Sequence, residues 1–321
     1  MTSALVSFIA REYLDGYIKD GGSKVKFFTA GEHGTVTEVL GALVAAAAEA
    51  GYAVARVDAA SVARINLFSH VYQAAVYELD LAGLVAGYCW RVVEGFGHPP
   101  AAIPPGMDFV SWAAEVHGRE PEILCREVRA RLERDLFRNR FMNRSFATAV
   151  LHLAADELGV REGGLDPEDR EVLFAWLRGA EVPLRDLRRF HVFRRVDRYN
   201  ARFMLRSLAE LARLAGRAGL FLAVDGLEVL LAKREGGRAL YGRAARDEFY
   251  ESIRQLIDGT DTLAYLMVVL GFTRELVEDE RRGLHSYEAL WLRIQHEVAG
   301  RRVNLFRDFL DLDAVRSGGG G

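Results

Sequence analysis

Two glycines three residues apart, Gly31 and Gly34, stand between a short apolar run (residues 25–29) and a long alanine-rich stretch with helical spacing (about 35–51). A glycine turn at the amino end of a helix aims backbone N–H groups at a shared point and suits an anion, above all a phosphate. In the pattern G-x-x-x-x-G-K-S/T the lysine adds a cation for the β- and γ-phosphates, and the final hydroxyl holds Mg²⁺. With Gly31 as the first glycine, Val36 stands at the last glycine, Thr37 at the lysine and Glu38 at the hydroxyl. The partner group is Asp225, which ends the apolar run 220–224 and matches the acid that supports Mg²⁺ at the end of a buried strand. Gly226 follows where a water-polarising glutamate belongs; Glu228 comes two residues later and is expected to point elsewhere. Thr273, closing the apolar run 262–273, is the candidate for a polar sensor.

The strand–turn–helix–strand order of residues 24–58 is the opening unit of a P-loop fold. Its chemistry is altered at three positions. Val36 puts a branched side chain where the backbone would approach a ligand, Thr37 carries no charge, and Glu38 adds a negative one. Thr35 and Glu38 also match the S/T-x-x-E capping box, in which a helix satisfies its own first N–H donors. On that reading the helix end is already plugged by an acid, and no nucleotide cofactor is expected. The alternative is an atypical ATP/Mg²⁺ site in which Lys24 or Lys26, on the preceding strand, replaces the missing lysine. His33, within the turn, has the means to contact an anion, although solvent exposure is the simpler expectation.

These residues need a frame. Hydrophobic periodicity predicts a helix over 3–20, the strand–helix–strand unit to 58, and one long helix over 66–97. The segment 98–106 holds four of the seven prolines and breaks the pattern. From 107 to 200 only helices are expected, at 108–117, 120–142, 145–158, 167–178 and 184–190, the fourth opened by Asp166-Pro167-Glu168. Strands return at 220–224 and 262–273, followed by helices near 244–258 and 286–295 and a last element at 302–312. The expected architecture is a mostly parallel α/β sheet flanked by helices with a large all-helical insertion. The first half of the core spans 1–97, the insertion 98–200, the second half 201–316, and 317–321 is a disordered tail.

Composition narrows the classes. The chain of 321 residues is 50% hydrophobic with a formal net charge of -3, which argues against a generally polyanion-binding protein but not against a local basic patch. Neither the 41–50 apolar run nor the amino terminus resembles a membrane span or a secretion signal, so a cytoplasmic location without membrane attachment is expected. Cys89 and Cys125 lack metal-ligand spacing, the eight histidines are scattered, and no metal site is expected. Trp90, Trp112, Trp176 and Trp291 lie on apolar helical faces and read as core or interface.

Residues 185–206 carry eight arginines against two aspartates. Arg188, Arg189, Arg194, Arg195 and Arg198 alternate there with Phe190, Phe193, Tyr199 and Phe203, a composition suited to nucleic acid. The competing reading is an amphipathic stretch with solvated arginines and core aromatics.

The order of these parts resembles the BREX-type ATP-binding proteins, the BrxC/BrxD-like P-loop group within the AAA+/STAND ATPases. The resemblance rests on FFTAGEHGTVTEVL, RVDRYNARFMLRSLAELARLAGRAGLFLAVDGLE, FYESIRQLIDG and LGFTRELVEDERRGLHSYEALWLRI. It implies a role in a multi-protein bacterial system directed at DNA, with anti-phage defence the expected purpose. Hydrolytic members carry Gly-Lys-Ser/Thr in the loop and an Asp-Glu pair on the central strand. Of these features only Gly31, Gly34 and Asp225 match here. The expected protein is therefore a pseudo-ATPase that partners other subunits, an active paralogue or its own copies; an atypical ATPase and a DNA-binding adaptor are the alternatives. Arg274, Arg281 and Arg282 are candidates to complete a neighbour's site in trans, as are Arg194 and Arg195.

Overall fold

The computed structural model describes residues 2–298 and 304–318. The chain divides into two units, Met1–Leu79 with Ala218–Gly321, and Asp80–Arg217.

The first unit opens with α1 (Thr2–Ile9), which runs on as a π-helical stretch over Ala10–Tyr17, then β1 (Ser23–Ala30), α2 (His33–Glu49), β2 (Ala53–Asp58) and α3 (Phe68–Tyr77). The second unit is helical: α4 (Leu81–Gly95), α5 (Phe109–His117), α6 (Pro121–Phe137), α7 (Arg144–Glu157), α8 (Pro167–Leu177), α9 (Leu184–Arg188) and α10 (Ala201–Leu214). The first unit resumes with β3 (Leu220–Asp225), α11 (Arg243–Asp258), β4 (Leu266–Thr273), α12 (Glu275–Glu278), α13 (Glu288–Val298), β5 (Phe309–Asp311) and α14 (Leu312–Gly318). The expected helix over 66–97 is two helices, because the Asp80 carboxylate accepts from Gly83 N at 2.8 Å and starts α4 afresh. The expected tail, 317–321, lies largely outside the described residues.

The five strands pair in the order β2-β3-β4-β1-β5, and every pairing is parallel. The expected α/β fold with a parallel, P-loop-like sheet is what forms. All six residues of β3 are buried, and β1 exposes almost nothing, as a strand covered on both faces requires. Register aligns the carboxyl ends: Asp58 faces Asp225, Ala30 faces Thr273, and Asp311 faces Thr29.

Helix α2 lies on one face of this sheet through Val36, Val39, Leu40, Leu43 and Ala47, the i, i+3, i+4, i+7 stripe of an amphipathic helix. Contact is close at Gly271 of β4, where a Cβ would stand 2.7 Å from Val36 Cγ1 and 2.8 Å from Leu40 Cδ2. Val36, expected beside a ligand, is fully buried in this contact. The π-helical stretch adds Tyr13 and Leu14 to the same core.

Lys26 of β1 is fully buried, and its Nζ donates to the carbonyls of Leu305 (3.2 Å), Phe306 (3.4 Å) and Arg307 while lying 4.6 Å from the Tyr13 ring centroid. Lys24 Nζ sits 2.7 Å from Asp308 Oδ1. Both lysines thus fasten the segment leading into β5, and their ammonium groups are committed there instead of at the Gly31 turn.

The Gly271 contact gives a direct test of how α2 is seated. Gly271→Ala is expected to destabilise the chain by about 1–3 kcal/mol through overpacking. Adding Val36→Ala is expected to recover part of that loss, measured as the urea midpoint of each single variant and of the pair.

Candidate functional site

The carboxyl edge of the sheet collects the residues singled out in the sequence. β1 ends at Ala30 and α2 begins at His33, leaving only Gly31 and Glu32 between them. Glu32 occupies the N-cap position with extended backbone (φ −114, ψ 132) and makes no side-chain cap. Thr35 N already donates to Glu32 O at 3.2 Å, so Thr35 is inside the first turn of α2. The expected Thr35–Glu38 capping box is therefore not formed: Glu38 lies one turn too far along, and its Oε1 accepts from Thr2 Oγ1 at 3.3 Å. The helix begins earlier than the sequence pattern indicates because the turn is short.

An acid does reach the turn, from the other end of the chain. Gly31 N donates to Asp313 Oδ2 at 2.8 Å, in the first turn of α14. Arg274 Nη2 lies 2.8 Å from the same oxygen and 3.0 Å from both oxygens of Asp311, and Asp313 N donates to Asp311 Oδ1 at 3.0 Å. Arg274 N donates to Ala30 O at 2.8 Å, so its backbone is held at the end of β1. Hydrogen bonding to Asp311 holds the Arg274 guanidinium more firmly protonated than usual.

A second cluster forms over β3. Thr37 Oγ1 donates to Asp225 Oδ2 at 2.9 Å, and Arg56 Nη2 approaches the same oxygen at 3.3 Å. Arg56 Nη2 also donates to Thr37 O at 3.4 Å. The hydroxyl facing the strand-end acid is thus that of Thr37, the residue at the lysine position of the motif. Asp225 is 5% exposed, and its Oδ1 has no hydrogen-bond partner.

Gly226 takes the left-handed conformation (φ +75) that only glycine adopts without strain, and turns the chain so that Glu228 returns to the edge. Contrary to expectation, Glu228 therefore belongs to the cluster. Its Oε1 is 2.7 Å from His33 Nδ1, and its Oε2 accepts from Thr273 N at 3.1 Å. Thr273 takes part through its backbone. His33 Nε2 lies 3.1 Å from Thr37 Oγ1. The Thr37 hydroxyl thus lies between His33 Nε2 and Asp225 Oδ2.

Of the arginines named as trans candidates, Arg274 is held by Asp311 and Asp313, and Arg282 lies 2.6 Å from Asp279. Arg281 is exposed, and its side chain makes no ion pair among the described residues. In the 185–206 segment Phe190 is buried, but Phe193, Tyr199 and Phe203 are exposed, so the amphipathic reading with core aromatics holds for one ring of four. Arg189 pairs with Asp169 at 2.5 Å. Trp112 and Trp176 are core, whereas Trp90 is exposed.

Sequence reasoning missed Arg56, Asp311 and Asp313. Arg56 sits at one of the half-exposed positions that alternate along β2, a signal that was available. No spacing connects Gly31 to Asp313. Among the described residues no group of His, Cys, Asp and Glu side chains is arranged to hold a metal ion.

A five-stranded parallel sheet flanked by helices, with a glycine turn leading from β1 into α2 and an acid ending β3 two strands away, is consistent with a P-loop NTPase-like fold. The chain belongs to the family of BREX system ATP-binding proteins BrxC/D, which matches residues 11–316, and membership implies a role in a BREX defence system. Among curated proteins and among solved structures nothing matches the chain.

The Thr37–Asp225 bond is open to test by stability. Thr37→Val removes the donor and leaves a buried carboxylate short of a partner, with an expected loss of about 1–3 kcal/mol. Thr37→Ser is expected to retain most of it, read as guanidinium or thermal unfolding of both variants beside the parent chain.

Proposed function

We propose that this chain is a P-loop pseudo-ATPase: a nucleotide-free scaffold or regulatory subunit of a BREX assembly. One observation carries the reading. The Gly31 N–H, which a phosphate would have to accept from, already donates to a carboxylate at 2.8 Å, and that carboxylate is held by Arg274. The residues of the turn do not fit a magnesium triphosphate. Thr37 stands at the lysine position, Lys24 and Lys26 are fastened to residues 305–308, and Asp313, already on the Gly31 N–H, would repel phosphate. Arg56 is the cation nearest the strand-end acid, and it is bound to it.

On this reading the helical residues 98–200, which lie within the unit Asp80–Arg217, belong to an insertion between the two halves of the core. The assembly works in the cytoplasm and its partners are protein subunits, an active paralogue or further copies of this chain. Among the described residues no helix is long and apolar enough to cross a membrane. Arg281, exposed beyond β4, is the arginine best placed in sequence and surface to serve a neighbour's nucleotide.

Calorimetric titration of the purified chain with MgATP is expected to show no binding at micromolar concentrations and no phosphate release. Saturable micromolar binding, or turnover abolished by Asp225→Ala, would overturn the proposal.

A further inference from the structure

The arginine-rich segment of the helical unit is built as an ordered surface with its rings turned outward. It begins in α9 and continues without regular structure from 189 to 200 before α10. Phe190 and Val192 are buried and anchor it, and the buried Trp176 donates Nε1–H to Arg194 O at 2.8 Å. Beyond that point the backbone is tied to itself. Asp197 Oδ1 accepts from Tyr199 N (2.8 Å) and Asn200 N (3.1 Å), Asn200 Oδ1 accepts from Asp197 N (2.8 Å), and Asn200 Nδ2 donates to Arg195 O (2.7 Å). A segment held at this many points is ordered, yet it leaves Phe193 61%, Tyr199 68% and Phe203 43% exposed.

Three large rings on one short ordered segment need an account, because exposed aromatic area is costly where nothing covers it. Their surroundings indicate what covers them. Arg188, Arg194 and Arg195 are exposed, and their side chains have no ion pair among the described residues. Arg198 lies over the Tyr199 ring at 4.7 Å and Arg206 over the Phe203 ring at 5.3 Å. The two acids of the segment are spent locally: Asp197 is turned onto backbone N–H groups and Asp186 is 3.4 Å from Arg185. What the segment presents outward at Arg188, Arg194 and Arg195, beside the exposed rings, is cationic and planar.

We infer that the segment 188–203 binds single-stranded nucleic acid, with Phe193 and Tyr199 stacking on bases and Arg188, Arg194 and Arg195 meeting phosphates. A duplex keeps its base faces stacked on one another, so exposed rings find partners only on unpaired bases. Arginine between the rings suits the backbone that links successive bases. Binding at this segment and the state of the nucleotide site are independent of each other.

The test is fluorescence anisotropy of the full chain with a labelled oligothymidylate of about 16 nucleotides, an oligouridylate of the same length, and a duplex. The expected result is salt-dependent binding of the single strands well above the duplex; comparing thymidylate with uridylate tells DNA from RNA. Phe193→Leu and Tyr199→Leu are each expected to weaken single-strand binding about tenfold or more, and Tyr199→Phe to preserve it. Arg194→Ala with Arg195→Ala is expected to flatten the dependence of log affinity on log salt by about 0.7 for each phosphate no longer neutralised. All these positions are exposed, so circular dichroism and thermal unfolding should stay at parent values. No binding at low salt, equal affinity for the duplex, or affinity untouched by both leucine variants would overturn the inference.

Discussion

Because every strand runs in the same direction, five carboxyl ends meet at one edge of the sheet, and three of them close on an aspartate. That concentration of like charge is the constraint to which the surrounding structure answers. Each acid has its own solution. Asp58 caps its own turn, its Oδ1 accepting from Ala60 N at 2.9 Å. Asp225 takes a hydroxyl proton from Thr37 and a guanidinium from Arg56. Asp311 shares Arg274 with Asp313, and Asp313 in turn accepts from the Gly31 N–H. The positive ends of α2 and its preceding turn contribute in the same sense, since unpaired helix N–H groups favour a carboxylate nearby. In an intact P-loop the same edge is balanced by ligand-derived charge of both signs, phosphate at the turn and magnesium at the acid. Here the chain itself supplies cations and donors to these acids.

How much of this could be read beforehand depended on whether a residue's role was local. The strands were legible because fully buried parallel strands leave continuous apolar runs, as 220–224 does. The start of α8 was legible because Asp166-Pro167-Glu168 carries its own stop and start signals. The start of α2 was not. Thr35 and Glu38 satisfy a capping pattern, but a turn of two residues leaves no room for a cap there, and turn length is set by where β1 ends. Lys26 illustrates the non-local case: a lysine in an apolar strand acquires a role only when the carbonyls of residues 305–307 come to it. Arg274 with Asp311 and Asp313 is the same kind of object. The outward rings of Phe193 and Tyr199 were illegible for a different reason, since an irregular segment has no period from which to deduce which side faces in.

The Val36–Gly271 contact explains why the altered turn and the retained fold are compatible. In the G-x-x-x-x-G-K-S/T pattern the sixth position is glycine because a ligand needs close backbone approach. Once α2 begins at His33, that position rotates away from the edge and onto β4, where a buried side chain gains by filling space. Valine at this position thus adds apolar contact between helix and sheet. Gly271 is the complementary adjustment, a strand position with no side chain under the helix's branched one.

An intramolecular anion differs from a bound one in what it allows the domain to do. A nucleotide shifts a conformational equilibrium only through its differential affinity for two states, and its stabilisation scales with its concentration. Asp313 is tethered through β5 and α14, so its effective concentration at Gly31 is constant and nothing in solution needs to supply it. The turn, Arg274 and the β5–α14 junction therefore form one connected set of contacts within the chain.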